Sequence, residues 1–177
     1  MASAFGHVAA SIALTKASTL RPVSKRLWIF SIFSSIAPDL DSIGFKLGVP
    51  YDSMLGHRGL SHSLLFAFVW SGLSAILFFR NQGTRLRVFL IICLSMLSHG
   101  VLDAMTSGGL GVGFFMPFKM ERYFFSIRPI QVSPISIAKF FAQPEKILAN
   151  EALWIGLPCV FLVLIAAPIQ NRLRKYF

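Results

Sequence analysis

Four histidines and three aspartates in this chain have the residue types and spacings needed to bind a metal ion. His99 and Asp103 are four residues apart, so on a helix their side chains project from one face with Cβ atoms about 5–6 Å apart. Asp39 and Asp41 follow a proline, and side chains two residues apart can point the same way in extended or turn backbone. The candidate metal ligands are His7, Asp39, Asp41, His57, His62, His99 and Asp103.

The spacing of His57 and His62 predicts different local structures for the two residues. Five residues apart, they do not share a helix face. We therefore expect His57 in a loop around Gly56 and Gly59, and His62 in the first turn of the following helix. Ser61 is the candidate cap of that turn.

The mixture of imidazole and carboxylate groups indicates the chemistry. Such a set suits zinc, or a harder ion such as manganese or iron. Four His and three Asp exceed what one tetrahedral zinc needs, so we expect one or two divalent ions, with an aspartate bridging a pair. Two ions about 3.5–4 Å apart activate water and stabilise the leaving oxygen in many phosphoester hydrolases.

Other residues are candidates for catalysis and for substrate binding. Asp39 or Asp41, with Asp41 favoured, could act as a general base instead of a metal ligand. Arg58, Arg122 and Arg128 are candidates for holding an anionic head group, because the guanidinium group binds phosphate through two parallel hydrogen bonds.

The composition indicates that a membrane-embedded bundle must position these residues. The chain has 177 residues, of which 55% are hydrophobic and 14% charged, against roughly 25% charged in soluble domains. We predict a single membrane-embedded domain over residues 1–177, an all-α polytopic bundle of about five helices. An irregular cap over Thr106 to Asn150 would include one interfacial helix near Ile135 to Ala142. The predicted helices are Phe5 to Leu20, Leu27 to Ala37, Leu60 to Phe79, Leu86 to Leu102, and Ala152 to Ile169 with a kink at Pro158.

The distribution of charge predicts the topology. The segments after the first, third and fifth helices contain Lys and Arg, among them Arg21 and Lys175, but no acidic residue. All seven acidic residues lie in the alternate segments, which are neutral, so the net charge of +10 lies on one face. This positive-inside pattern predicts a cytoplasmic C-terminus and an extracytoplasmic His/Asp set. It also explains the basic composition without nucleic acid, and we expect no nucleic-acid partner.

The motifs resemble those of a known family, the bacterial inner-membrane metal-dependent hydrolases described as LexA-regulated and YdjM-like. The resemblance runs from the N-terminus to about Ser136. It rests on Gly6-His7, Pro38-Asp39-Leu40-Asp41, His57-Arg58-Gly59-Leu60-Ser61-His62-Ser63, His99-Gly100-Val101-Leu102-Asp103, and residues 106–112, 122–124, 128–130 and 132–134. It implies a multi-pass protein of the bacterial inner membrane, with a hydrolase site whose metal is held by these His and Asp residues. The His-x-x-x-Asp element is also similar to that of zinc-dependent phospholipases C.

Three functions are compatible with the sequence. The first is an enzyme, a membrane-bound metal-dependent hydrolase that cleaves a phosphoester of a lipid or lipid-linked substrate with metal-activated water. The second is a membrane metal transporter or sensor, although transport sites usually lie near the bilayer midplane. The third is a structural membrane protein with a metal staple, which predicts a closed, four-coordinate site.

Overall fold

The computed structural model describes residues 1–19, 22–80 and 85–174. Within these ranges the fold is all-α, as predicted, and extended structure is limited to two isolated β-bridges. Leu20, the predicted end of the first helix, and Arg21 and Lys175 of the charge pattern lie outside the described residues. The helices are α1 (Ala4–Ala17), α2 (Lys25–Ile36), α3 (Leu64–Phe78), α4 (Arg85–Ala104), α5 (Ile137–Ala142), α6 (Pro144–Glu151) and α7 (Leu157–Leu173).

The last predicted helix is longer in the structure than in the sequence interpretation. A π turn, Ala152–Gly156, joins α6 to α7, so one continuous helix of 30 residues runs from Pro144 to Leu173. The wide turn lies directly before Pro158, the predicted kink, where a proline cannot continue the regular hydrogen-bond pattern. This helix and α4, with 20 residues, are long and apolar enough to cross a membrane.

Helix α4 is the central element of the bundle. It packs against α1, α2 and α3, and α1 also packs against α2 and α7. Leu27, Ala75, Val88, Ile91 and Ile92 form an apolar core at the end where α4 begins. At the opposite end the core is polar, because the last turns of α4 direct His99 and Asp103 inward, where both are fully buried.

Between the two ends, four hydroxyl side chains meet where α1, α2 and α4 come together. Ser31 Oγ lies 2.8 Å from the hydroxyl oxygens of both Ser11 and Ser95. It also lies 2.7 Å from Oγ1 of Thr15. Ser11 donates a further hydrogen bond to Ser95 at 3.1 Å. We call Ser11, Thr15, Ser31 and Ser95 the hydroxyl cluster; each is at most 1% exposed.

Two 3₁₀ elements connect the helices near the polar end. The 3₁₀ segment Ala37–Leu47 continues directly from α2, where the sequence predicts extended or turn backbone. A 3₁₀ turn, Leu60–His62, precedes α3. His62 therefore lies ahead of α3 and not in its first turn, and the cap is Ser63, whose Oγ accepts the backbone N–H of Phe66 at 3.0 Å. The predictions of a first-turn His62 and a Ser61 cap are wrong for this reason.

The segment after α4 is irregular, as predicted. Two β-bridges tie Thr106 to Ile130 and Val112 to Tyr123. The short helix α5 lies within the range predicted for an interfacial helix. This cap covers the polar end of the bundle.

Candidate metal centre

Four ligand atoms from three parts of the chain meet at the polar end of the bundle. Nε2 of His62 and Nε2 of His99 lie 3.0 Å apart. Asp39 Oδ1 lies 3.6 Å from the first nitrogen and 3.4 Å from the second. Asp103 Oδ2 lies 3.6 and 3.9 Å from the same two atoms. Bonds of about 2.0–2.2 Å in a tetrahedral site separate the ligand atoms by roughly 3.3–3.6 Å, so this spacing fits one ion.

His99 is oriented for ligation by a carbonyl of the neighbouring helix. Its Nδ1 lies 2.7 Å from the backbone oxygen of Ser35, which can only accept a hydrogen bond. The proton of a neutral ring is therefore on Nδ1, and Nε2 presents a lone pair toward His62. A carbonyl or carboxylate partner on the far nitrogen is the usual support of a metal-binding histidine.

His7 completes the group from α1. Its ring stacks on that of His99, with centroids 3.7 Å apart and planes 17° apart. Its Nε2 lies 3.5 Å from Asp103 Oδ1 and 4.0 Å from Asp39 Oδ2. The i, i+4 pairing of His99 with Asp103 also has the predicted geometry. We call His7, Asp39, His62, His99 and Asp103 the metal cluster.

Asp41 supports the histidines beside the metal cluster. Its Oδ1 lies 2.7 Å from Nδ1 of His57, and its Oδ2 lies 3.2 Å from Nδ1 of His62. Oδ2 also accepts hydrogen bonds from Ser61 Oγ at 2.5 Å and from the backbone N–H of Arg58 at 3.1 Å. Asp41, His57 and His62 are close enough to form a second group of ligands. Because both contacts are to Nδ1 atoms, however, Asp41 is also placed to orient the rings.

Arg58 is fully buried and lies against Asp103. Its Nε is 3.0 Å from Asp103 Oδ2, and its other nitrogens donate to Thr106 Oγ1 and to the Gly108 carbonyl, both at 2.9 Å. Its backbone has φ +63°, a left-handed conformation that is uncommon outside glycine. These contacts indicate that Arg58 positions Asp103 and balances its charge.

The other two arginines predicted to bind substrate lie in the cap. Arg122 donates to three backbone carbonyls of the loop 51–57 at 2.8–3.0 Å. Burial lowers the pKa of its guanidinium, and burial raises the pKa of the Tyr51 hydroxyl beside it. Arg128 is exposed, with its guanidinium carbon 4.6 Å from the centre of the Phe124 ring. Substrate binding by Arg58, Arg122 and Arg128 stays a prediction, and Arg128 is the most accessible of the three.

Buried polar atoms without a hydrogen-bond partner are concentrated at this site. Nine such side-chain atoms occur among the described residues, and seven belong to the metal cluster or to the adjacent His57 and Arg58. They are both ring nitrogens of His7, both carboxylate oxygens of Asp39, His57 Nε2, Arg58 Nε and Asp103 Oδ2. Arg58 Nε and Asp103 Oδ2 face each other in the ion pair described above, so the atoms left without a close partner are those of His7, Asp39 and His57. Because burying an unpaired polar group is costly, this concentration indicates a site for a ligand that supplies the missing contacts.

The site is enclosed on most sides. The side chains of His7, His62, His99 and Asp103 are 0% exposed, whereas those of Asp39 and Asp41 are 11% and 7% exposed. Both aspartates lie on the 3₁₀ segment Ala37–Leu47. Access to the site is therefore on the side of that segment.

The first residues of the chain contribute contacts that the sequence interpretation missed. The backbone N–H of Ala2 donates to Asp103 Oδ1 at 2.7 Å. The backbone N–H and hydroxyl of Ser3 both donate to the buried carboxylate of Glu151 at 2.5 Å. The sequence feature that could have indicated these contacts is Glu151, an acidic residue directly before a long apolar run. These contacts fix the start of α1, and with it His7, against α4 and the last helix.

Comparison with known proteins identifies the family. No solved structure matches the chain. It is 32% identical over 165 residues to the inner membrane protein YbcI of Escherichia coli (strain K12), and the alignment covers 92% of this chain and 95% of that protein. The model of the family described as YdjM inner membrane protein matches residues 1–173. This chain therefore belongs to the YdjM inner membrane protein family.

Proposed function

We propose that this protein is a membrane-bound, metal-dependent hydrolase that cleaves a phosphoester of a lipid or lipid-linked substrate with metal-activated water. One observation carries the proposal: ligand atoms of Asp39, His62, His99 and Asp103 lie within 4.8 Å of one another, and the buried Asp39 oxygens and the ring nitrogens of the adjacent His7 have no hydrogen-bond partner. Their chemistry, imidazole nitrogen and carboxylate oxygen, is that of a hydrolytic metal site.

Zinc is the ion that best fits the ligand set. His62, His99, Asp39 and Asp103 would hold it, with His7 as a further ligand or as the ligand of a second ion. Manganese and iron are compatible with the same donors. When bound, the ion lowers the pKa of a coordinated water and polarises the phosphoryl group.

The contacts around the two aspartates distinguish their proposed roles. Both oxygens of Asp39 are free of hydrogen bonds and its side chain is 11% exposed, so it can accept a proton from water as general base or bind the metal directly. Asp41 already receives hydrogen bonds from Ser61 and the Arg58 backbone. This favours Asp39 over Asp41 for either role, with Asp41 as a positioning residue for His57 and His62.

The location of the site supports a substrate that partitions into the bilayer. The metal cluster lies at the ends of apolar helices in a member of an inner-membrane family, and we assign this end to the extracytoplasmic side because the positive charge lies at the other. Arg128, exposed in the cap, is available to bind an anionic head group.

Metal content per chain is the first test. Detergent-purified wild-type protein should carry one or two equivalents of zinc or another transition metal, and His99→Ala and Asp39→Ala should lose it. Asp52→Ala is the matched control, since Asp52 is exposed in the neighbouring loop. A wild-type protein that stays metal-free after reconstitution with zinc, manganese and iron would refute the proposal. A loaded protein would then be assayed for hydrolysis of lipid phosphoesters.

Burial of most of the cluster favours one alternative, a structural metal staple. Four of its side chains are 0% exposed. A staple predicts closed four-coordination, whereas a hydrolase keeps a position open for water. Cobalt-substituted protein distinguishes them: the visible spectrum of an open site changes when phosphate is added, and that of a closed site does not.

A further inference from the structure

Large apolar side chains recur at intervals of three and four residues along α2 and the 3₁₀ segment that follows it. In α2 this interval places them on one face. In the 3₁₀ segment, with three residues per turn, Leu40 and Ile43 share a face and Leu47 lies about a third of a turn away. We call α2 and the 3₁₀ segment together the helical rod. Most of them are strongly exposed, both in α2 and beyond its end. The exposed fractions are 66% for Ile29, 43% for Phe33, 52% for Leu40, 55% for Ile43 and 78% for Leu47, while Ile36 is half-buried.

The opposite side of the same rod is polar and buried. Ser31, Ser34 and Ser35 are fully buried in α2. Further along, Asp39 and Asp41 face the histidines. The 3₁₀ segment therefore has carboxylates toward the metal cluster and aliphatic side chains on its outer surface.

The length of α2 shows why the 3₁₀ segment matters. Helix α2 has 12 residues, about 18 Å at 1.5 Å per residue, which is too short for a hydrocarbon core of roughly 30 Å. The 3₁₀ segment has 11 residues, and at about 2.0 Å per residue it adds roughly 22 Å. The two together are long enough to cross.

The surroundings of the rod indicate what covers its outer face. Helix α2 packs on α4, which is long and apolar enough to span, so the exposed Ile29 and Phe33 meet the lipid that surrounds α4. Leu40 and Ile43 add exposed apolar surface beyond the end of α2. Lys46, near the end of the 3₁₀ segment, is exposed and can reach the head groups.

We propose that the 3₁₀ segment Ala37–Leu47 is a lipid-contacting surface, the second half of the membrane crossing that α2 begins. Leu40, Ile43 and Leu47 contact the acyl chains, and Asp39 and Asp41 lie on the reverse side. The accessible side of the metal cluster therefore faces the edge of the bilayer and not the cap. This placement does not depend on hydrolysis or on bound metal.

Spin-label accessibility in lipid vesicles tests the placement. In a background with Cys93→Ala and Cys159→Ala, single cysteines at Leu40, Ile43 and Leu47 would carry a nitroxide. Collision rates are measured with oxygen, which concentrates in lipid, and with a water-soluble nickel chelate. Phe33→Cys is the lipid control and Glu121→Cys, on an exposed cap residue, is the aqueous control.

The proposal predicts that the oxygen-to-nickel ratio at Leu40 and Ile43 is nearer to that at Phe33 than to that at Glu121. A ratio nearer to that at Glu121 would overturn it and place the segment in water. Low accessibility to both reagents would overturn it as well, because the face would then be covered by protein, such as a second copy of the chain. All labelled positions are exposed, whereas Cys93 of the background is buried, so monodisperse elution in detergent checks that the packing is intact.

Discussion

Two buried polar clusters lie one above the other in this bundle, and they differ in how their polar atoms are satisfied. In the hydroxyl cluster, Ser31 alone contacts three other hydroxyls within 2.8 Å, and Ser95 also donates to a carbonyl of its own helix. In the metal cluster, the two ring nitrogens of His7 and the two carboxylate oxygens of Asp39 are buried and have no hydrogen-bond partner. Both clusters join α1 and α4 to α2 or to its 3₁₀ continuation.

The difference favours a structural role for the hydroxyl cluster and supports the proposed ligand-binding role of the metal cluster. Hydroxyls that bond to one another need nothing from outside, and such contacts hold helices together in membranes. Buried imidazoles and carboxylates without hydrogen bonds are costly, and a bound ion can supply the contacts that they lack. Both clusters are polar and largely buried, so neither property by itself separates them.

The largest expected effect comes from removing the carboxylate beside Arg58. Asp103→Ala should lower the free energy of unfolding by about 3–5 kcal/mol, because it leaves a fully buried guanidinium without its counter-charge. Denaturant titration in detergent with a chelator present measures this without a contribution from metal. Adding Arg58→Met should restore part of the loss; a double variant whose loss equals the sum of the single losses would contradict the pairing.

A smaller effect, on metal affinity alone, is expected at Asp41. Asp41→Asn keeps the side-chain shape but weakens the support of the His57 and His62 rings. Loss of such support typically reduces metal affinity 10–100-fold, measurable by competition with a chelator of known affinity. Asp52→Asn is the matched control. If Asp41→Asn abolished binding entirely, Asp41 would be a ligand and not a support.

A substitution at Gly109 tests how rigidly the backbone beside the Arg58 guanidinium is held. It has φ +93°, and a Cβ there would lie 2.7 Å from Nη1 of Arg58. Gly109→Ala should destabilise the protein by about 1–2 kcal/mol, the usual cost of left-handed backbone for an L-residue. Gly72→Ala in α3, where a Cβ meets nothing within 4 Å, should be neutral or stabilising in the same thermal assay. Equal melting temperatures for the two variants would show that the backbone at Gly109 adjusts without cost.

The smallest effect is expected in the hydroxyl cluster. Ser31→Ala should cost about 0.6 kcal/mol for each interhelical hydrogen bond lost and leave metal affinity unchanged. Ser98→Ala, which removes only a bond within α4, is the control for the substitution itself. A change in metal affinity in Ser31→Ala would mean that the two clusters are coupled.

The parts predicted from sequence are those that depend on local periodicity. The apolar runs predicted the helices, and the four-residue spacing of His99 and Asp103 predicted their shared face. The 3₁₀ backbone of Ala37–Leu47 was not predictable, because its large apolar residues recur at intervals of three and four, which favour an α-helix, whereas three residues per turn favour an interval of three. The partnership of Arg58 with Asp103 was also hidden, since the sequence shows an arginine suited to phosphate but not the carboxylate that the fold brings against it.

The contacts of Asp103 also constrain the order in which this protein matures. This residue near the end of α4 joins the start of the chain, 101 positions earlier, through the Ala2 N–H, and it joins the loop before α3 through Arg58. The candidate ligands come together only when α1, the 3₁₀ segment, the loop before α3 and α4 are all present. If the cluster binds the proposed ion, loading follows synthesis of α4, because shorter chains lack His99 and Asp103.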